Sequence, residues 1–177
     1  MAAATPMVRV WDPVVRLFHW SLVAAFATAF LAEEGGRLHD MAGYVVLGLI
    51  GVRLVWGLIG PLHARFASFV PAPAQLAAYL RELAQGRPRR FLGHNPAGGA
   101  MIVLLLASVL TAAGSGWLMT TDRFWGVEWV ESLHEGSAWL ALVLVGVHVT
   151  GVLVSSVMHR ENLVRAMITG NKAVTAD

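Results

Sequence analysis

Four histidines, His19, His39, His134 and His148, lie within or at the ends of long apolar runs. Hydrocarbon has no water to replace an imidazole's hydrogen bonds, so each of these side chains needs a partner there. Two of them sit fourteen residues apart on one run, SLHEGSAWLALVLVGVH, residues 132–148. At about 100° and 1.5 Å per residue, that spacing returns His148 to within roughly 40° of His134 and about 21 Å further along the axis. The 3.5-residue repeat of a left-handed bundle removes most of the angular offset. Both imidazoles then face inward at two depths, and each needs a second ligand at its own depth. His39 lies at the same end as His134, and His19 lies in the half that holds His148, so the expected pairs are His39 with His134 and His19 with His148. Helical rise places His19 about 7 Å nearer the surface than His148, a difference that helix tilt can absorb.

Paired neutral imidazoles in a four-helix bundle suit haem iron, which takes two axial ligands on opposite faces of a planar ring. Zinc fits less well, because four tetrahedral ligands must converge at one depth and these occupy two. For any one of these residues alone, a hydrogen bond to a neighbouring helix is the plainer account. Arg53 follows His39 by fourteen residues, which puts it on the same inward face at about the depth of His19 and His148. A guanidinium there either meets an anion, such as a propionate of an inner haem, or snorkels to the surface. Nine glycines, Gly43, Gly48, Gly51, Gly98, Gly99, Gly114, Gly116, Gly136 and Gly146, permit a macrocycle to approach helix backbones, and equally permit ordinary helix contacts. The absence of cysteine excludes disulfides, thiolate metal sites and a covalently attached c-type haem.

The elements that must position these side chains are membrane spans. Of 177 residues, 56% are hydrophobic and only 14% charged. Four runs reach the twenty or so apolar residues needed to cross a core of about 30 Å: 14–32, 41–60, 97–119 and 133–158. The expected architecture is all-α, a single integral membrane four-helix bundle occupying the chain. The first run has some features of a signal peptide, but Arg16 and His19 inside it suit a retained helix. Arg9, Arg16, Arg65, Arg81, Arg87, Arg89, Arg90, Arg160, Arg165 and Lys172 flank the spans on one side, against Arg37 and Arg123 on the other. That bias puts both termini and the middle loop in the cytoplasm, so basic charge reports topology rather than a nucleic-acid partner. The opposite loops collect seven acids, Glu33, Glu34, Asp40, Asp122, Glu128, Glu131 and Glu135. In the middle loop, residues 73–85 carry Leu76, Tyr79, Leu80 and Leu83 at helical spacing, which predicts a short helix on the inner leaflet.

The segments WDPVVRLFHW, LHDMAGYVVLGLIGVRLVWGLIGPLHARF, LGHNPAGGAM, LHEGSAWLALVLVGVH and HRENLVRAMITGNK resemble the bacterial cytochrome b561 family, related to the b-type cytochrome subunit of nickel–iron hydrogenases. The resemblance covers nearly the whole chain. It implies a bacterial inner-membrane protein with two b haems, whose iron ligands carry over onto His19, His39, His134 and His148. It also implies electron transfer between a periplasmic reaction or partner, such as a c-type cytochrome or a hydrogenase, and a membrane quinone, ubiquinone or menaquinone. One member of the family oxidises superoxide, a task for which seven acids against two arginines on the outer loops are the wrong field. His63, His94 and His159 fall near the cytoplasmic interface, where they either serve a quinone pocket as proton donors or have no such role. An alternative of another class is a haem-free membrane scaffold or small transporter whose histidines form interhelical hydrogen bonds.

Overall fold

A computed structural model of the chain describes residues 6–174. A short strand β1 (Met7–Arg9) leads into α1 (Pro13–Leu31) and α2 (Arg37–Ile59). A 3-10 turn at Leu62–Ala64, α3 (Phe66–Phe69) and α4 (Pro73–Ala84) form the middle connection. The long helices α5 (Pro96–Met119) and α6 (Glu128–Met158), then α7 (Leu163–Thr169) and a strand β2 (Asn171–Ala173), complete the chain. The four long helices are each apolar and long enough to cross a membrane. α6 has 31 residues, about 46 Å at helical rise, so it must tilt in a core of about 30 Å or emerge from it.

The helix starts follow from side-chain chemistry. Asp12 accepts from the backbone N–H of Val14 at 2.9 Å and of Val15 at 3.2 Å, with Pro13 in the first helical position. The same Asp12 oxygen accepts from Trp56 Nε1 at 3.1 Å, which fastens the start of α1 to the last turns of α2. Asn95 caps α5 by accepting from Gly98 N at 2.7 Å. Gly60 and Pro61 end α2, and the Gly60 carbonyl accepts from Arg65 Nε at 2.6 Å.

α1 packs on α2, α2 on α5, and α5 on α6. Between them lies one apolar layer, Val46, Ile50, Val109 and Ala141, with Leu22, Phe26 and Ala113 packed against it. Much of the remaining surface is apolar and outward-facing, as a lipid solvent requires: on α6, Val143, Val147 and Val157 are 60%, 52% and 78% exposed. Trp117, Trp125 and Trp129, around the connection from α5 to α6, are also exposed, where tryptophan marks a membrane–water interface.

At the other end, β1 and β2 pair antiparallel, Val8 opposite Lys172, so the two ends of the described chain meet. Lys172 is buried, and its Nζ lies 3.2 Å from Glu161 Oε2 and 3.2 Å from the Phe91 carbonyl. Arg90 reaches the other Glu161 oxygen at 3.4 Å and the Ala173 carbonyl at 2.7 Å. This network ties the segment before α5, the turn after α6 and β2 into one floor, called here the termini end.

One close approach is testable. A Cβ at Gly99 would overlap the carbonyl oxygen of Phe69, a backbone atom that cannot swing aside. Gly99→Ala is expected to lower stability by about 1–3 kcal/mol, measured by thermal unfolding in detergent. Gly48→Ala, where a Cβ meets nothing within 4 Å, should leave the midpoint unchanged.

Candidate functional site

At the end opposite the termini, α2 and α6 bring His39 and His134 together, with ring centroids 5.9 Å apart and planes at 76°. Each ring is held by a carbonyl of the neighbouring helix. His39 Nδ1 lies 2.8 Å from the Ala29 oxygen, one of the last α1 carbonyls that no helical N–H can reach. His134 Nδ1 lies 2.8 Å from the Ala112 oxygen on α5. A carbonyl only accepts, so each Nδ1 carries the proton and each Nε2 keeps its lone pair for a metal. A metal–imidazole bond is about 2 Å long, so rings with centroids 5.9 Å apart are close enough that both could hold one ion.

The surroundings of this pair are shaped by small residues. A Cβ at Gly116 would lie 3.0 Å from both Cε1 and Nδ1 of His134, so glycine lets the ring lie against α5. Gly43 and Gly114 are half-buried, yet a Cβ at either would meet nothing within 4 Å, which leaves open space beside the pair. Phe30 and Trp139 meet edge to face at 5.5 Å and join α1 to α6 on the outer, lipid-facing surface.

Toward the termini end, beyond the apolar layer, lie His19 on α1 and His148 on α6, both half-buried. His19 packs edge to face against Trp20 at 4.9 Å, and its Nδ1 is enclosed without a hydrogen-bond partner. Arg53 is only 4% exposed and does not reach the surface. Its guanidinium lies 4.8 Å from the ring centre of Phe66 and 5.7 Å from that of Phe69, and Nη1 is enclosed without a partner. Among the described residues, no carboxylate lies within ion-pair distance of Arg53. A buried cation in that state calls for an anion. Nor do three His, Asp or Glu side chains converge anywhere among the described residues, as a closed tetrahedral zinc site would need. Two-ligand sites with an orphaned guanidinium fit haem, which brings an iron for the imidazoles and carboxylates for the arginine.

The other three histidines separate. His63 lies against Gly93, where a Cβ would come within 3.0 Å of its Nδ1, next to His94. The His94 ring is clamped between Trp11 at 4.5 Å and Phe69 at 4.7 Å. Burial, and then the charges of Arg53, Lys172, His63 and His148, hold its pKa down to about 3, so it is neutral at physiological pH. A cavity of about 590 Å³ opens beside it, lined in part by Ser68, Gln75, Arg89 and Phe91. His159 instead occupies the C-cap of α6 and does not line that cavity. Burial also lowers the pKa of Lys172, opposed by Glu161 beside it. Sequence reasoning missed the carbonyls of Ala29 and Ala112 and the aromatic clamp of Trp11, Phe66 and Phe69. Spacing carries no signal for the carbonyls, whereas the cluster RFASF after a helix-ending proline was a visible one.

The sequence model described as prokaryotic cytochrome b561 matches residues 10–170. Relatives described as a probable Ni/Fe-hydrogenase B-type cytochrome subunit include one from Azotobacter vinelandii, 29% identical over 92% of this chain and 87% of the relative. Others are from Cupriavidus necator, 26% identical over 91% and 85%, and Rhodobacter capsulatus, 23% identical over 96% and 83%. No solved structure matches the chain. The family match spans all four long helices and all four intramembrane histidines, and the chain therefore belongs to the prokaryotic cytochrome b561 family, whose members are membrane b-type cytochromes.

Proposed function

We propose that the protein is a di-haem cytochrome of the bacterial inner membrane that passes electrons between a partner on its acidic face and the membrane quinone pool. The observation that carries this reading is the His39–His134 pair, with both Nδ1 atoms anchored and both Nε2 atoms free. His39 and His134 bind the haem at the loop end, and His19 and His148 bind the haem at the termini end. When bound, each haem supplies an iron that gains and loses one electron. The chain's own residues orient the ligands, keep water out with the apolar layer and neutralise charge. Arg53 meets a propionate of the haem at the termini end, the anion its buried guanidinium lacks.

α6 contributes one ligand to each site, which sets the two about 21 Å apart along the helix. Glu33, Glu34, Asp122, Glu128, Glu131 and Glu135 are exposed around the loop end. That charge favours a basic donor such as a soluble c-type cytochrome, and it repels an anionic substrate such as superoxide. A second reading, as the membrane anchor of a hydrogenase, is favoured by the relatives described as Ni/Fe-hydrogenase B-type cytochrome subunits. The cavity beside His94, with His63 nearby, is the site proposed for the quinone headgroup, at the end that positive charge places in the cytoplasm.

The purified protein is expected to show a reduced b-type α-band with two haems per chain, where a haem-free scaffold shows no Soret band. His134→Ala should halve the haem content by emptying the loop-end site, and His148→Ala should do so at the other. If neither variant loses haem, the ligand assignment is wrong. Arg53→Gln removes a positive charge beside the electron's destination and should lower the potential of the second haem alone. An unchanged potential in a redox titration counts against the propionate pairing. Reduction by a basic cytochrome should slow as salt rises and screens the acidic face. Stopped-flow rates that are flat with ionic strength would remove the case for such a donor.

A further inference from the structure

The floor of the bundle holds one more unmet group. His94 precedes the Asn95 cap of α5, and its Nδ1 is enclosed without a hydrogen-bond partner. It shares the Phe69 ring with Arg53: the imidazole packs at 4.7 Å and the guanidinium at 5.7 Å. Two orphaned nitrogens, from α2 and from the segment before α5, are therefore gathered around one phenyl ring. The groups that act on His94 are Arg53 from α2, Lys172 from β2, His63 from the 3-10 turn and His148 from α6. All are cationic or able to become so. Of the acids near them, Glu161 is engaged by Lys172 and Arg90, and Asp12, whose charge reaches Arg53, accepts from Val14, Val15 and Trp56. Among the described residues no carboxylate is in ion-pair distance of Arg53.

We infer that His94 stands beside the carboxylate of the termini-end haem that Arg53 holds, and that His94 takes up a proton on Nδ1, and so becomes a donor to that carboxylate, when that haem is reduced. The inference rests on the reading that His19 and His148 bind a haem. His94 enters the cycle neutral, because burial among cations disfavours the imidazolium. With haem bound, one electron gained there would be balanced by one proton that His94 Nδ1 takes from water, and loss of that electron to the acceptor would return the proton to water. The faces of Trp11 and Phe69 accommodate the imidazolium. The adjoining cavity, at about 590 Å³ and with Ser68, Gln75 and Arg89 on its wall, has room beside the quinone headgroup for the water that delivers the proton.

The sign follows from linkage. Reduction raises the pKa of His94, so the midpoint potential of this haem falls with rising pH between the oxidised-state and reduced-state pKa values and is flat outside them. The test is a redox titration of the full-length protein, followed at the α-band from about pH 5 to about pH 8, the range in which an imidazole near a carboxylate titrates. The component missing in His148→Ala identifies the haem, and the other haem is the internal control. In the wild type the potential is expected to fall with pH toward one proton per electron, and in His94→Gln to become pH-independent with both haems retained. An unchanged pH slope in His94→Gln overturns the inference. If that variant does not assemble, a pH-independent potential in the wild type overturns it equally. Fewer than two haems in the wild type would overturn the underlying reading, and the inference with it, before any titration is made.

Discussion

A polar side chain inside hydrocarbon must be partnered, and the layout of this bundle follows from where the partners are. His39 and His134 each have one ring nitrogen bonded to a backbone carbonyl of the next helix. These bonds cross from α2 to α1 and from α6 to α5, so the same contacts that orient the rings also lace the helices together. The second ring nitrogens of that pair remain, and among the described residues so do Arg53 Nη1, His19 Nδ1, His94 Nδ1 and Arg16 Nε, each enclosed without a partner. Cofactor demand here is the residue of an incomplete hydrogen-bond account.

The single apolar layer has a role that matches its position. Val46 and Ile50 fall between His39 and Arg53, and Ala141 falls midway between His134 and His148. The layer places packed aliphatic groups between the two ends, and the buried hydroxyls beside it, Ser108 and Ser137, bond to carbonyls of their own helices. The small side chain of Ala141, fully buried, lets α6 approach its neighbours at the waist while glycines leave space nearer the ends.

Much of this architecture is legible in the sequence because the membrane simplifies the physics. Length and hydropathy identify the spans, and a fourteen-residue interval on one helix is enough to argue that His134 and His148 share a face. What was not legible depends on tertiary contact. Nothing in the string marks the carbonyls of Ala29 and Ala112 as tethers, since every residue has a carbonyl. The strand pair of β1 and β2 is three residues on each side, too short for any periodicity. The burial of Lys172 could not be read from a terminus rich in polar residues, because it arises from Glu161 and the Phe91 carbonyl converging from elsewhere. Likewise His63, His94 and His159 look alike at the interface by position. Only packing separates the clamped His94 from the capping His159.

The strand pair also orders events in time. β1 is made before the four long helices and β2 after them, so their ladder closes only once all four have been synthesised. The His39–His134 pair is complete once α6 has begun, and His148 arrives a few turns later. Lys172, which joins the floor beneath Arg53 and His94, comes after both. During synthesis, therefore, the end that carries Arg53 and His94 stays unsealed until β2 has followed the four long helices out of the ribosome.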